Sequence, residues 1–280
     1  HIACHGGSAS SPNHEDGPRR ACLVGLETLG AGSALDAVLA ATQWLEDDER
    51  FNAGTGSNLR LDGSTIQMDA SCMTSTGRFG AVAAIERVRN PVAVAARLLD
   101  TPHVLLVGAG ATEFARRCGF EDHDPTTDGA KERFAQVMAS TGRLGEWTRA
   151  ELERAWNFDL PLRRVLGGDT VGSVAWDGET FAGALSSGGT TTVLRGRVGD
   201  VPMPGCGLYV GEAGAIAATG DGEHIARALL AHRAYLELER SGDPRRVADW
   251  ALEELPRSVD VGLVVVGHEG FAGAARHGMA

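Results

Sequence analysis

A glycine-rich turn, Gly167-Gly168-Asp169, runs into a strand-like stretch whose first residue, Thr170, carries a hydroxyl. A threonine at the head of a strand is usually structural, and alone it would argue for little. Its setting is what matters: it directly follows a long, charge-rich, weakly patterned stretch at about residues 120–168. A cut between Asp169 and Thr170 would leave an intact strand headed by a nucleophile. Such a cut has a chemical purpose, because a threonine hydroxyl is weak without a base beside it. A freed α-amine, with a pKa of about 8, is partly neutral near pH 7–8, whereas a lysine at ~10.4 would need strong perturbation. No rival nucleophile stands out: there is no G-x-S-x-G, and the nine histidines share no common setting.

Other chemistry-bearing residues follow. Arg197 and Asp200, three residues apart, read on spacing alone as a surface pair of opposite charge. Thr219-Gly220-Asp221-Gly222 reads as a turn capped by Asp221 before a helix, whose first N–H groups suit a developing negative charge. Asn52 is equally a turn residue, and His5 equally a buried structural histidine.

Positioning these residues requires a layered framework. Ile2–Cys4 reads as a strand entering the turn His5-Gly6-Gly7. Ser33 and Asp36 form a capping pair for a helix whose Leu35, Val38, Thr42 and Leu45 share one face, with Glu46 to Glu49 ending it in solvent. Strands are expected at 58–61 and 65–70 about an Asp62-Gly63 turn, and a helix over 92–99. A buried strand at 103–107 and a helix over 111–118 follow. Residues 131–157 read as an exposed, partly helical linker. Beyond it come strands at 170–176, 180–185 and 213–219, then one long amphipathic helix over 223–239 carrying Ile225, Leu229, His232 and Leu236. A helix over 246–255 and strands at 259–266 and 271–275 close the chain. Strand–helix alternation with hairpins indicates a layered α/β protein.

The net charge of −11 over 280 residues argues against nucleic acid or an anionic membrane as main partner. The five cysteines are scattered, without zinc-like spacing, and read as small buried hydrophobes in a reducing, cytoplasmic compartment. No apolar run reaches the ~20 residues needed to span a bilayer.

Several segments together resemble one family, the plant-type asparaginases and isoaspartyl aminopeptidases, which are N-terminal nucleophile (Ntn) hydrolases. They are His5-Gly6-Gly7, Gly32 to Val38, Phe51 to Ser57, Met68-Asp69-Ala70-Ser71, Gly80-Ala81-Val82 and Asn90-Pro91. Past the linker they are Asp169 to Gly172, Ser186-Ser187-Gly188-Gly189, Gly196 to Asp200 and Ala218 to Glu223. The resemblance implies a four-layered αββα sandwich: one Ntn-hydrolase domain over 1–280, cut by its own chemistry into 1–169 and 170–280. It implies Thr170 as nucleophile and base, Ser187 as a second hydroxyl beside it, and Asn52 as its orienter. Thr219 and the Gly220 N–H would form the oxyanion hole. Arg197 would hold the substrate α-carboxylate; Asp200 and the Gly222 carbonyl would hold its α-ammonium. The substrates implied are L-asparagine and β-aspartyl dipeptides. No organic cofactor is implied, although Leu45 to Thr55 matches a loop that wraps a sodium ion in some relatives. A homodimer of processed protomers is also implied.

Departures bear on the substrate. Gly7-Ser8-Ala9, Cys72-Met73-Thr74-Ser75 and Thr190 to Arg195 differ from the family pattern at positions expected to line or flank the cleft. Glycosylasparaginase-like and taspase-like hydrolysis are alternatives, the latter opposed by Asp200, because the taspase pattern has a neutral residue there. A non-catalytic relative binding an amino acid is the alternative from another class.

Overall fold

The computed structural model describes residues 1–8, 10–140 and 170–280. Asp169 and the part of the linker beyond residue 140 lie outside the described residues.

One sheet has the order β1-β5-β6-β2-β3-β4, with β1 at Ile2–His5, β2 at Met68–Thr74, β3 at Phe79–Ile85, β4 at Leu105–Val107, β5 at Val171–Trp176 and β6 at Phe181–Ser187. A second sheet has the order β10-β9-β8-β7, with β7 at Leu208–Gly211, β8 at Gly214–Gly220, β9 at Val261–Gly267 and β10 at Gly270–Ala275. Helices α1 (Asp16–Leu29), α2 (Ala34–Asp47), α3 (Pro91–Leu98), α4 (Gly108–Arg117) and α5 (Asp128–Ser140) come before residue 141. After residue 169 come α6 (Gly222–Ala228), α7 (Leu230–Ser241) and α8 (Pro244–Glu253).

Three apolar layers dictate the stacking. Val38 and Leu45 of α2 and Val92 and Leu98 of α3 pack on Met68, Val171 and Ala182 of the first sheet. On that sheet's other face, Val174, Phe181 and Leu185 meet Leu208, Ala217, Val264 and Val266 of the second. The second sheet's outer face, with Ile216, Leu263 and Val265, is covered by Leu230, Ala234, Leu238, Val247 and Ala251 from α7 and α8. The order is helix, sheet, sheet, helix, the αββα sandwich expected. Strands buried on both faces have no polar side to show, so β8 and β9 read as small and apolar throughout.

Local signals hold where the partners are local. Ser33 and Asp36 form a complete capping box at α2. That helix is tied to β5 by a buried Thr42 Oγ1–Ser173 Oγ bond of 2.7 Å, with Ser173 Oγ also donating to the Val38 carbonyl.

The structure corrects several expectations. Residues 58–61 join neither sheet; they pair with the 192–193 turn, Leu61 N donating to the Val193 carbonyl and Thr192 N to that of Leu59. β4 is an exposed edge strand, since only β3 flanks it. Glu46 is fully buried rather than in solvent, because its Oε1 accepts the Val92 N–H at the start of α3. The 223–239 helix is broken at Leu229, which adopts φ 49° and ψ 46°. The break lets α7 start against a loop, Ala231 N donating to the Cys206 carbonyl and His232 N to that of Gly205. The apolar face shifts with it, leaving Leu229 and Leu236 exposed and burying Leu230, Ala234 and Leu238. The described part of the linker is exposed along one side, at Lys131, Glu132, Ala135 and Gln136, and anchored along the other: Ala130, Val137 and Met138 of α5 are buried, and Arg133 donates to Asn58 Oδ1 and the Gly56 carbonyl.

Candidate active site

Antiparallel register sets Asp69 of β2 opposite Ser187 of β6, and Val171 of β5 opposite Ser186. One residue beyond that last pair, Thr170 therefore sits beside Ser187. Three polar side chains thus line up at one end of the first sheet. At the matching end of the second sheet, Thr219 pairs with Gly262 and Gly220 with Val261. A small pocket opens there, lined by Thr170, Ser187, Gly189, Thr190, Arg197, Asp200, Gly220 and Gly222, with Asp69, Gly199 and Val201 completing the wall. Six of the site residues expected from the sequence are therefore brought together.

Thr170 is buried, and the β1–β5 ladder ends beside it at the His5–Gly172 pair. His5 is also fully buried. Desolvation lowers its pKa to about 4 against a pull from the Thr170 backbone, so the ring is neutral at ordinary pH. Ser187 Oγ accepts the Gly189 N–H at 3.0 Å, which holds the glycine turn against the end of β6.

Thr219 and Asn52 stand just behind the pocket wall. Thr219 Oγ1 accepts the Ser8 N–H at 3.2 Å, so its own hydroxyl proton is left to donate elsewhere. Gly220 has φ +135°, and a Cβ there would fall 2.2 Å from the Asp260 carbonyl oxygen, so only glycine fits. Asn52 bonds not to Thr170 but to the glycine turn. Its Nδ2 donates to the Gly189 carbonyl at 2.7 Å, joined there by Asn58 Nδ2, and its Oδ1 accepts the Asn58 N–H.

Arg197 and Asp200 are not a surface pair. Arg197 gives Nε and Nη2 to Glu223 in a bidentate bridge of 2.8 and 2.7 Å, and its side chain is largely enclosed. Asp200 is 3% exposed, and its Oδ2 has no hydrogen-bond partner among the described residues. Burial pushes its carboxyl up to about 7, only partly opposed by its own backbone N–H and by Arg197. Glycines make room for it: a Cβ at Gly207 would lie 2.4 Å from its Oδ2, and one at Gly222 2.7 Å from its Oδ1.

Two carboxylates had no assigned role in the sequence. Glu223 fixes Arg197, and Asp69 accepts Ala84 N at 2.8 Å and Gly199 N at 3.2 Å, pinning the loop that carries Arg197 and Asp200. A lone charged residue within the otherwise uncharged run of β2 was the available signal for Asp69. The departures divide: Thr190 lines the pocket and Ser8 touches Thr219, whereas Ser75 bonds to Phe181, at the far end of β6 from Ser187.

Among the described residues no cluster of three or more His, Cys, Asp or Glu side chains could hold a metal. In the Leu45–Thr55 loop, Thr55 N donates to the Glu46 carbonyl and Phe51 N to that of Asp48. No described helix is long and apolar enough to cross a membrane.

A family model described as asparaginase matches residues 2–280. A plant-type L-asparaginase of Pyrococcus furiosus is 38% identical over 99% of this chain and 94% of its own. An isoaspartyl peptidase of Salmonella typhimurium is 37% identical, covering 96% of this chain and 89% of its own. An isoaspartyl peptidase/L-asparaginase of Danio rerio is 34% identical over 96% and 86% respectively. With the match running from Ile2 to Ala280, the chain belongs to the family of plant-type asparaginases and isoaspartyl peptidases.

Proposed function

We propose that this protein is an amidohydrolase that cleaves L-asparagine and β-aspartyl dipeptides to aspartate, using Thr170 freed by cutting its own chain after Asp169. The observation that carries this reading is the charge pattern of the pocket. Asp200, with an unpaired buried oxygen, and Arg197 share a pocket with Thr170, matching the ammonium and carboxylate of an α-amino acid.

The chemistry follows from that placement. Thr170 Oγ1 attacks the β-carbonyl carbon while its α-amine takes the hydroxyl proton. The C=O bond opens to an oxyanion that accepts from Thr219 Oγ1–H and the Gly220 N–H. Such donors are worth roughly 10²–10³ in rate each. Collapse re-forms the carbonyl and expels the amine or ammonia, which leaves with the proton held by the α-amine. Water, deprotonated by the same amine, then cleaves the threonyl ester and releases aspartate. Asn52 serves the nucleophile indirectly, by holding the Gly188-Gly189 turn beside Ser187.

Asp200 favours this reading over a taspase-like one, since an aspartate inside a chain presents no ammonium. The 1–169 and 170–280 fragments would remain one domain, because β5 pairs with β1 and β6 with β2 across the cut. A homodimer of processed protomers in a reducing, cytoplasmic setting completes the proposal; all five thiols are free. The test is hydrolysis of L-asparagine, three β-aspartyl dipeptides and a glycosylated asparagine, side by side. Turnover of the first two classes is expected; turnover of the glycosylated substrate alone would overturn the assignment.

A further inference from the structure

Among the described residues, Arg60 is the largest side chain with essentially no exposed surface, and the chemistry above does not use it. Its Nη2 donates to the Gln67 carbonyl at 2.7 Å, while Nε and Nη1 find no partner among the described residues. A guanidinium stripped of water is costly unless opposite charge faces it. Asp69 supplies the strongest attraction, with Asp62 and Glu86 behind it, yet the hydrogen bonds of Asp69 go to Ala84 and Gly199. Burial brings the Arg60 pKa down only to about 10, so it stays charged at neutral pH.

The free edge of Arg60 lies against the pocket wall. A Cβ built on Gly189, whose φ is +71°, would fall 2.5 Å from Arg60 Nη1 and 3.5 Å from Arg197 Nη1. Both guanidinium groups therefore flank one glycine, and that glycine lines the pocket. Arg197 spends Nε and Nη2 on Glu223, leaving Nη1 to meet an incoming carboxylate. Arg60 Nη1 stands beside it on the same side of Gly189, with no exposed surface of its own.

We propose that Arg60 determines specificity: a buried positive charge beside Gly189 that, together with Arg197, selects substrates with a free α-carboxylate over those in which that group is amidated. This rests on the reading of the pocket as an aspartyl site. Arg60 does not touch the substrate; it acts through the field it adds at Arg197. Since Arg60 Cζ and Arg197 Nη1 lie 3.4 and 3.5 Å from the one Cβ position at Gly189, a carboxylate on Arg197 Nη1 is taken at roughly 7 Å from the Arg60 charge. At an effective dielectric near 20 that amounts to about 10- to 50-fold in affinity.

The experiment compares L-aspartate with its α-amide, isoasparagine, which differ only at the α-carboxyl group. Their binding to the whole enzyme is measured by titration calorimetry, for the wild type, Arg60→Gln and Arg60→Lys. Arg60→Gln should weaken aspartate about 10- to 50-fold and isoasparagine by no more than about threefold. Arg60→Lys should recover most of the aspartate affinity. Equal losses for both ligands, or none, would mean that Arg60 merely ties the 58–67 loop and would overturn the proposal. Should Arg60→Gln fail to fold, Arg60→Met keeps the stem, removes the charge and reads the same ratio. A wild type that hydrolyses L-asparagine while the ratio stays fixed across the variants defeats this inference alone. A wild type that neither hydrolyses asparagine nor binds either ligand defeats the functional reading as well.

Discussion

Asp200→Asn should make the protein more stable and nearly inactive, each effect calculable from the same buried carboxylate. Burial raises its pKa from an ordinary 3.8 to about 7. That is about three pKa units, or roughly 4 kcal/mol against the ionised form at 1.36 kcal/mol per unit. The folded pKa lies above the unfolded one, so stability is fullest below about pH 4 and falls as pH rises towards 7. Asparagine has the same shape and no charge. The variant should match the wild type near pH 4 and exceed it by up to about 4 kcal/mol at pH 8, roughly 5–10 °C in Tm. The same change removes the charge that would face the substrate ammonium. Two unit charges 4 Å apart at an effective dielectric of 20 attract by about 4 kcal/mol, so kcat/KM for L-asparagine should fall about 10³-fold. The assay is Tm for both proteins from pH 4 to 8.5, alongside L-asparagine kinetics. Superimposed Tm curves with unchanged kcat/KM would refute the idea that Asp200 holds an unpaired charge awaiting an ammonium.

Two further predictions test separate parts of the account. Glu46 is fully buried, its Oε2 has no hydrogen-bond partner among the described residues, and burial pushes its pKa to about 8. The wild type should therefore lose stability as pH rises from about 4.5 to 8, and Glu46→Gln should flatten that slope in denaturant titrations at each pH; an unchanged slope contradicts the burial argument. Thr219→Val removes the free hydroxyl proton opposite the developing oxyanion, so kcat should drop about 10²- to 10³-fold with little change in KM. A loss appearing mainly in KM would reassign Thr219 to substrate binding.

How much of this was legible in the sequence depends on how far apart the interacting partners lie. The Ser33–Asp36 capping box lies within one turn and the β5–β6 hairpin within a few residues, whereas the β1–β5 and β2–β6 pairings join strands far apart in the chain. Thr170 stood out through its neighbours, the stretch before it and the strand after it. Glu46 was misread because the N–H it accepts belongs to Val92, far along the chain. The Leu229 break was invisible because the carbonyls that receive α7 come from Gly205 and Cys206. Within the site, Arg197 and Asp200 were named by the resemblance, while their spacing alone read equally as a surface pair. That Arg197 is fixed by Glu223, that Asp200 is left unpaired, and that Arg60 lies beside Gly189 follow only from folding residues 60, 69, 189 and 223 together.

The central claim is that Thr170 becomes the nucleophile by becoming an N-terminus. Intact-mass measurement of the purified protein and of Thr170→Ala tests it most directly, with L-asparagine hydrolysis recorded on the same samples. The account predicts two polypeptides in the wild type, residues 1–169 and 170–280, and an uncut, inactive variant. A single active wild-type chain, or a Thr170→Ala protein that still cuts itself or hydrolyses asparagine, would contradict it.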